Sequence, residues 1–212
     1  MTIKLFIFDM DGVIFKEKNF WLDMHRAYKL TDTAYTYYRA NYSRDYTGTF
    51  AYMANTFWKG RDAEIYFDLI NKREYTWGIK SFIKALQKKN IIIAIISSGS
   101  WELAMRACKE LDIAGDYVFA NKLIVQNNKF TGEARVLVDD QHKEKVGLEL
   151  IKKLGLTRND VAFIGDTVGD ISLANLSKFS IAYNSDSQEL IDNCTISLDF
   201  NRINEGLKEI LR

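Results

Sequence analysis

The sequence predicts an α/β fold, a doubly wound parallel sheet with an inserted helical subdomain, and three observations carry that prediction. Short apolar runs rich in Ile, Val and aromatics recur along the chain. Longer segments with apolar residues at helical spacing separate them. Strand followed by helix, repeated, is the pattern of parallel strands covered on both faces. Finally, one long stretch, residues 16 to about 77, holds no β-run and interrupts the alternation.

Taken in order, "KLFIF" reads as the first strand. The interrupting stretch follows and is dense in aromatics, among them Phe20, Trp21, Tyr28, Tyr35, Tyr37, Tyr38, Tyr42, Tyr46, Phe50, Tyr52, Phe57 and Trp58. It reads as a helical insert. "IKSFIKALQKKN" is a helix leading into the strand "IIIAIIS", and "WELAMRACKELDIAG" a helix leading into the strand "DYVFA". In "NKLIVQNNKFTGEARVLV" alternating apolar residues flank Asn127, Asn128 and Gly132, which is the pattern of a β-hairpin. The helix "KEKVGLELIKKLGL", the strand "VAFIGD", the helix "ISLANLSKFS" and the strand "FSIAYN" complete the series. Residues 1–15 and 78–212 therefore form the α/β core, and 16–77 the helical insert.

Composition bounds the function. The chain has 212 residues, 47% of them hydrophobic and 27% charged, enough to bury one substantial core. A formal net charge of +1 gives no basis for a nucleic-acid partner. No window approaches the roughly 18 apolar residues of a membrane span, and the N-terminal "MTIKLFIFD" lacks the apolar stretch of a signal peptide. A cytoplasmic protein is expected. Cys108 and Cys194 match no zinc or redox spacing and are expected to be free, buried thiols. The chain contains no proline, where average usage would give about ten; no functional reason for this is apparent.

The first strand ends in "DMDG". Residues two apart in a strand face the same side, so Asp9 and Asp11 project together. At about 7 Å and an effective dielectric of about 20 two such charges repel by roughly 2 kcal/mol. An Asp-Gly turn does not need that cost, whereas a bound cation or a raised pKa would offset it. Three further groups fall at corresponding positions. The second strand ends in Ser97, Ser98 and Gly99, whose hydroxyls and free amides suit an anionic oxygen. "VAFIGDTVGD" ends in Asp166 and Asp170, hard oxygen donors of the kind Mg²⁺ prefers, although Asp170 also suits a helix N-cap. Lys143, or its neighbour Lys145, opens the helix before that strand. Doubly wound sheets bind ligands beyond the carboxyl ends of their strands, so acids, amides and a lysine converge on a place for a phosphate group.

"DMDG", then "ISSG", then a lysine, then "GDTVGD" resembles the haloacid dehalogenase superfamily of phosphatases, in the order of its four motifs and over nearly the whole core. The insert lies where that superfamily carries a helical C1 cap. The hairpin "FANKLIVQNNKFTGE" and the Lys143–Asp166 spacing are similar to its phosphoserine phosphatase branch, and the spacing favours Lys143 over Lys145. The resemblance implies a Mg²⁺-dependent phosphatase that hydrolyses a small phosphorylated metabolite through an aspartyl-phosphate. It makes Asp9 the nucleophile and Asp11 the general acid and base. Mg²⁺ would be held by Asp9, Asp166 and the Asp11 carbonyl with support from Asp170, and the phosphoryl oxygens by Ser97, Ser98, Gly99 and Lys143.

The sequence departs from the branch mainly in the insert. Where a cap glutamate is expected, Glu17 is adjacent and Lys18 occupies the position. Where a cap arginine is expected, "FAYMANTFWKGRD" is neutral until Lys59 and Arg61. Gly169 stands in place of an asparagine often found before the final aspartate. Most insert aromatics are expected to pack with one another. Glu17, Trp21, Phe50, Phe57 and Trp58 are the candidates to face a substrate, and His25 is expected on a helix surface. A broad-specificity phosphatase and a phosphomutase remain alternatives. A phospho-accepting signalling domain is a remote one, because it carries its acceptor aspartate on a later strand than its acidic pair and is much shorter.

Overall fold

The computed structural model describes residues 3–210. Its strands are β1 (Leu5–Phe8), β2 (Ile92–Ser100), β3 (Val118–Gln126), β4 (Lys129–Arg135), β5 (Val161–Gly165), β6 (Phe179–Tyr183) and β7 (Ile196–Leu198), forming one sheet in the order β4-β3-β2-β1-β5-β6-β7. Every neighbouring pair is parallel except β3 and β4. These two form the expected hairpin. Gln126 pairs with Lys129, and the two loop residues Asn127 and Asn128 both take positive φ, 50° and 58°. That is the left-handed pair a two-residue hairpin turn requires.

Five helices lie between β1 and β2, the first four in the insert: α1 (Phe20–Ala27), α2 (Thr31–Asn41), α3 (Tyr46–Met53) and α4 (Glu64–Lys72), with a π-helical turn at Ala54–Trp58. Polar residues set two of their starts. Asn19 accepts from the Leu22 amide at 2.9 Å and Asp45 from the Gly48 amide at 2.8 Å, satisfying N–H groups that have no partner in a first helical turn. The remaining helices belong to the core: α5 (Ile79–Gln87), which leads into β2, and α6 (Trp101–Glu110), α7 (Lys143–Lys153), α8 (Ile171–Asn175), α9 (Gln188–Asn193) and α10 (Ile203–Ile210).

β1 explains why its sequence is apolar at every position. Phe6 and Phe8 belong to a cluster with Phe82 of α5, Leu103 of α6 and Ile203 of α10. Leu5 and Ile7 point the other way, into a cluster with Leu150 of α7, Leu173 of α8 and Leu190 of α9. Period-two alternation thus fills both faces of the sheet. The connection from β1 runs to β2 on one side, and the chain later returns to β5 on the other. The order reverses at β1, and a crevice opens beyond the carboxyl ends of β1, β2 and β5.

β7, α9 and α10 lie beyond the expected elements. The expected free thiols are present, since neither Cys108 nor Cys194 is in a disulfide; Cys108 is buried and Cys194 only half-buried. Among the described residues no helix is long and apolar enough to cross a membrane.

Candidate active site

Asp9 follows β1 directly, its amide held by the Ile164 carbonyl of β5 at 2.9 Å, and both Asp9 and Asp11 are buried. Lys143, the first residue of α7, reaches Asp9. Its Nζ donates to Asp9 Oδ1 at 2.9 Å and to Asp170 Oδ1 at 2.7 Å. The side chain is buried, whereas Lys145 is exposed, so Lys143 is the lysine of the site.

Asp170 has both oxygens committed. Oδ1 accepts from Lys143, and Oδ2 accepts from the Asp166 and Thr167 amides, each at 3.0 Å. It closes the turn Val168–Asp170 with a capping box from Thr167, and it makes no side-chain cap to α8. Its structure is that of a strut: it fixes the lysine on one side and the Asp166 backbone on the other.

The end of β2 is equally fixed. Ser97 Oγ accepts from the Gly99 amide at 3.2 Å, which leaves its own proton for a ligand. Ser98 presents its carbonyl to three donors, Trp21 Nε1 at 2.9 Å, Asn121 Nδ2 at 3.1 Å and the Tyr46 hydroxyl at 3.2 Å. Its hydroxyl donates to Asp140 Oδ1 at 2.7 Å. Gly99 lies so close to β1 that a Cβ would fall 2.6 Å from Met10 Cε and 3.1 Å from Asp11 Oδ2.

Burial governs the charges. It raises Asp9 to about 8, with Asp170 and Asp11 adding and Lys143 opposing. It raises Asp166 well above the carboxylate range, with Asp9 and Asp170 adding. Asp11 rises to about 6 by burial, held down by Arg73 and by the Phe20 amide. Burial alone would lower Lys143, but Asp170, Asp9 and Asp140 outweigh it and raise it well above its ordinary value. The site therefore carries more acid than one ammonium offsets.

Asp9, Asp166 and Asp170 each offer an oxygen within 4.8 Å of the others. Both Asp166 oxygens and Asp11 Oδ1 are buried without a hydrogen-bond partner. Gly12 leaves the space beside them open, because a Cβ there would lie 2.2 Å from Asp166 Oδ2. Orphaned hard oxygens of excess negative charge, on a backbone pulled close, fit a divalent cation such as Mg²⁺.

The crevice has a volume of about 400 Å³. Its floor is the carboxylate–lysine centre with Ser97, Ser98 and Gly99. Its opposite wall comes from the insert: Trp21 of α1, Tyr35 and Tyr38 of α2 and Tyr42 just past its end, with Lys18 and Arg39 at the rim. Of the insert residues expected to face a substrate, Trp21 does. Phe50 and Trp58 do not; they are buried behind Trp21, with ring centroids 4.9 and 5.6 Å from it. Phe57 packs against Tyr52, away from the crevice. Glu17 pairs with the buried Arg73 at 3.5 Å and is not in the crevice wall, and Lys18 is tied to Asp186 at 2.7 Å. His25 is not on a helix surface but buried.

Sequence reasoning missed Asp140, Asn121 and Arg39. Asp140 occupies the space beside Gly169, where a Cβ would come within 3.1 Å of the Asp140 carbonyl; the departure at 169 and the acid at 140 are one packing solution. Asn121 receives the Leu137 and Val138 amides on Oδ1, each at 2.9 Å, and so joins β3 to the segment leading to Asp140. An asparagine inside an apolar run was its one signal in the sequence.

Fold and centre together define a doubly wound α/β scaffold with its acids at the switch point. The haloacid dehalogenase-like hydrolase model matches residues 3–176, and the chain belongs to that family. The phosphoserine phosphatase of Methanocaldococcus jannaschii is 33% identical over 109 residues, 51% of this chain and 51% of that protein. That of Lactococcus lactis is 29% identical over 125 residues, 58% and 57% of the respective lengths. That of Archaeoglobus fulgidus is 26% identical over 128 residues, 60% of this chain and 37% of that protein. The matched segments thus span little more than half of these relatives at most. A substrate-bound phosphoserine phosphatase structure superposes with a TM-score of 0.82 at 22% identity, covering 99% of each chain, a likeness of fold.

Proposed function

We propose that the protein is a Mg²⁺-dependent phosphatase that hydrolyses a small phosphomonoester through an aspartyl-phosphate on Asp9. The observation that carries this is the cluster of Asp9, Asp166 and Asp170 within 4.8 Å, joined by the buried Lys143 at the sheet's switch point. Residues 1–15 and 78–212 serve as the catalytic core and 16–77 as a cap whose inner wall contacts the leaving group.

An Asp9 carboxylate oxygen attacks phosphorus, and the ester oxygen leaves with a proton from Asp11. With a pKa near 6 and Oδ1 free of partners, Asp11 suits both directions of proton transfer near neutral pH. Water then attacks the phosphoryl group as Asp11 takes its proton, and the bond to Asp9 breaks to release phosphate. The Ser97 hydroxyl, the Ser98 and Gly99 amides at the end of β2 and Lys143 hold the phosphoryl oxygens through both steps. Asp9, Asp166 and the Asp11 carbonyl would hold Mg²⁺, with Asp170 behind them; when bound it supplies positive charge that keeps Asp9 ionised and neutralises the phosphoryl group.

The test is phosphate release from phosphoserine, sugar phosphates, pyridoxal phosphate and p-nitrophenyl phosphate, with and without Mg²⁺. Release that depends on Mg²⁺ and falls at least 10³-fold in Asp9→Asn is expected. Unchanged release in Asp9→Asn would remove the mechanism. A folded protein that only accumulates phosphate on Asp9 from acetyl phosphate would favour a signalling role.

A further inference from the structure

Behind the crevice wall lies a second, smaller cavity of about 20 Å³. It shares Asn19, Trp21, Tyr35 and Tyr38 with the crevice, so these side chains, three of them rings, are the partition between the two. Its far side is His25, Phe50 and Trp58. His25 is only 3% exposed, and neither Nδ1 nor Nε2 has a hydrogen-bond partner; the indole N–H of Trp58, stacked on it at 5.4 Å, also has none. Buried polar groups without partners are rare and costly. Three such atoms on two residues around one cavity mark a place for a polar ligand group.

We propose that His25 and Trp58 end a specificity subsite, entered between Trp21, Tyr35 and Tyr38, that takes a distal hydroxyl of a neutral, polyhydroxylated leaving alcohol such as a sugar. This deepens, and rests on, the phosphatase reading of the crevice. A hydroxyl both donates and accepts, so it satisfies an imidazole nitrogen and an N–H donor at once. The volume admits about one water-sized group, which excludes a bulky terminus. No charged side chain lines the cavity, so a carboxylate or ammonium terminus would be left unpaired there. Burial lowers the imidazole to about 4, so it is neutral in ordinary buffers and adds no charge of its own. The aromatic partition suits the C–H faces of a sugar ring better than the charged backbone of an amino-acid ester.

The experiment measures kcat/KM for pentose and hexose phosphates, their monodeoxy counterparts, phosphoserine and p-nitrophenyl phosphate, in wild type, His25→Phe and His25→Gln. At least one sugar phosphate is expected to exceed its monodeoxy counterpart by about tenfold, the worth of one buried hydrogen bond. The ratio of that sugar phosphate to p-nitrophenyl phosphate should fall by about the same factor in His25→Phe, with partial recovery in His25→Gln. The deoxy compound should lose little further in either variant. Equal losses on every substrate would mean that His25 only supports the fold. Wild-type ratios in His25→Phe would mean that the cavity holds a trapped water only. Either result overturns the subsite while Mg²⁺-dependent hydrolysis of p-nitrophenyl phosphate stands. No release from any ester would overturn the phosphatase reading and the subsite together.

Discussion

The two walls of the crevice are built on different principles. The core wall is polar and doubly anchored: Lys143 touches two carboxylates, Asp170 uses both oxygens, and the Ser98 carbonyl takes three donors. The insert wall is aromatic and held by ring packing, Trp21 on Phe50 and Trp58, Tyr38 on Tyr42. Charges that must meet a phosphoryl group tolerate little displacement, so strand ends and hydrogen bonds hold them. A surface that chooses among alcohols needs shape, and packed rings supply it with room to vary. Trp21 joins the two, its ring in the insert's cluster and its Nε1 on the Ser98 carbonyl at 2.9 Å.

If the core wall is an electrostatic unit, removing its cation should have the largest effect after loss of the nucleophile. Lys143→Met leaves Asp9 and Asp170 buried and facing each other. Breaking one side of a buried ion pair costs about 3–5 kcal/mol, which for a chain of this size lowers Tm by on the order of 10 °C. Turnover should fall by about 10²–10³-fold as the phosphoryl oxygens lose their ammonium. Thermal unfolding with and without Mg²⁺ checks the cause, because the cation should restore more stability to the variant than to the wild type. A variant that folds and turns over like the wild type would end the comparison at this wall.

The insert wall predicts a different signature, a pH dependence of stability without loss of chemistry. His25 has an ordinary pKa of 6.5 and about 4 when folded, lowered by burial. The unfolded chain therefore takes the proton first. This contribution is intact above about pH 6.5 and is lost as pH falls toward 4, by about 3 kcal/mol in all. The core carboxylates titrate too, so the observable is the difference between wild type and His25→Phe in urea unfolding across that range. Wild type should lose stability on acidification faster than the variant. Parallel curves would show that the imidazole is hydrated and not enclosed by the rings.

The same contrast explains what the sequence disclosed. Asp9, Asp11, Ser97 and Asp166 each stand at the end of a short apolar run, and such a run has one direction and one end. Period two then tells which side chains project together, and the switch point tells where they meet. Lys143 was separable from Lys145 only through the family spacing, since both open the same helix. In the insert aromatics fall at neighbouring positions, Tyr35, Tyr37 and Tyr38 in α2 and Phe57 and Trp58 in the π-helical turn, so hydrophobic periodicity does not identify which side is buried. Phe50 and Trp58 differ from Tyr35 and Tyr38 only in how α1, α2 and α3 rotate against each other, and that is set by tertiary packing. His25 misled for the same reason: a histidine between an acid and an arginine in "LDMHRA" has the local context of a surface and is buried all the same. β7 was missed because a three-residue edge strand carries too few residues for a period to show, whereas α10 does carry a helical period, Ile203, Leu207 and Ile210, that the strand-and-helix alternation upstream did not call for.

The smallest expected effect is the sharpest test of the insert's geometry. Phe57 belongs to the same aromatic run as Trp58 yet sits on the outer side of the π-helical turn, half-buried against Tyr52. Phe57→Leu exchanges one apolar side chain for another of slightly smaller volume, and should cost less than about 1.5 kcal/mol. With no surface on the crevice or on the cavity behind it, it should change KM for the best substrate by less than about twofold. Steady-state kinetics on the purified variant read this directly. Trp21→Leu, one wall closer, should raise KM several-fold and cost more stability, because it removes both a ring of the partition and one of the three donors to the Ser98 carbonyl. If Phe57→Leu moved KM as far as Trp21→Leu, the insert would be responding as a whole, and selectivity would reside in its closure over the core and not in the rings that face it.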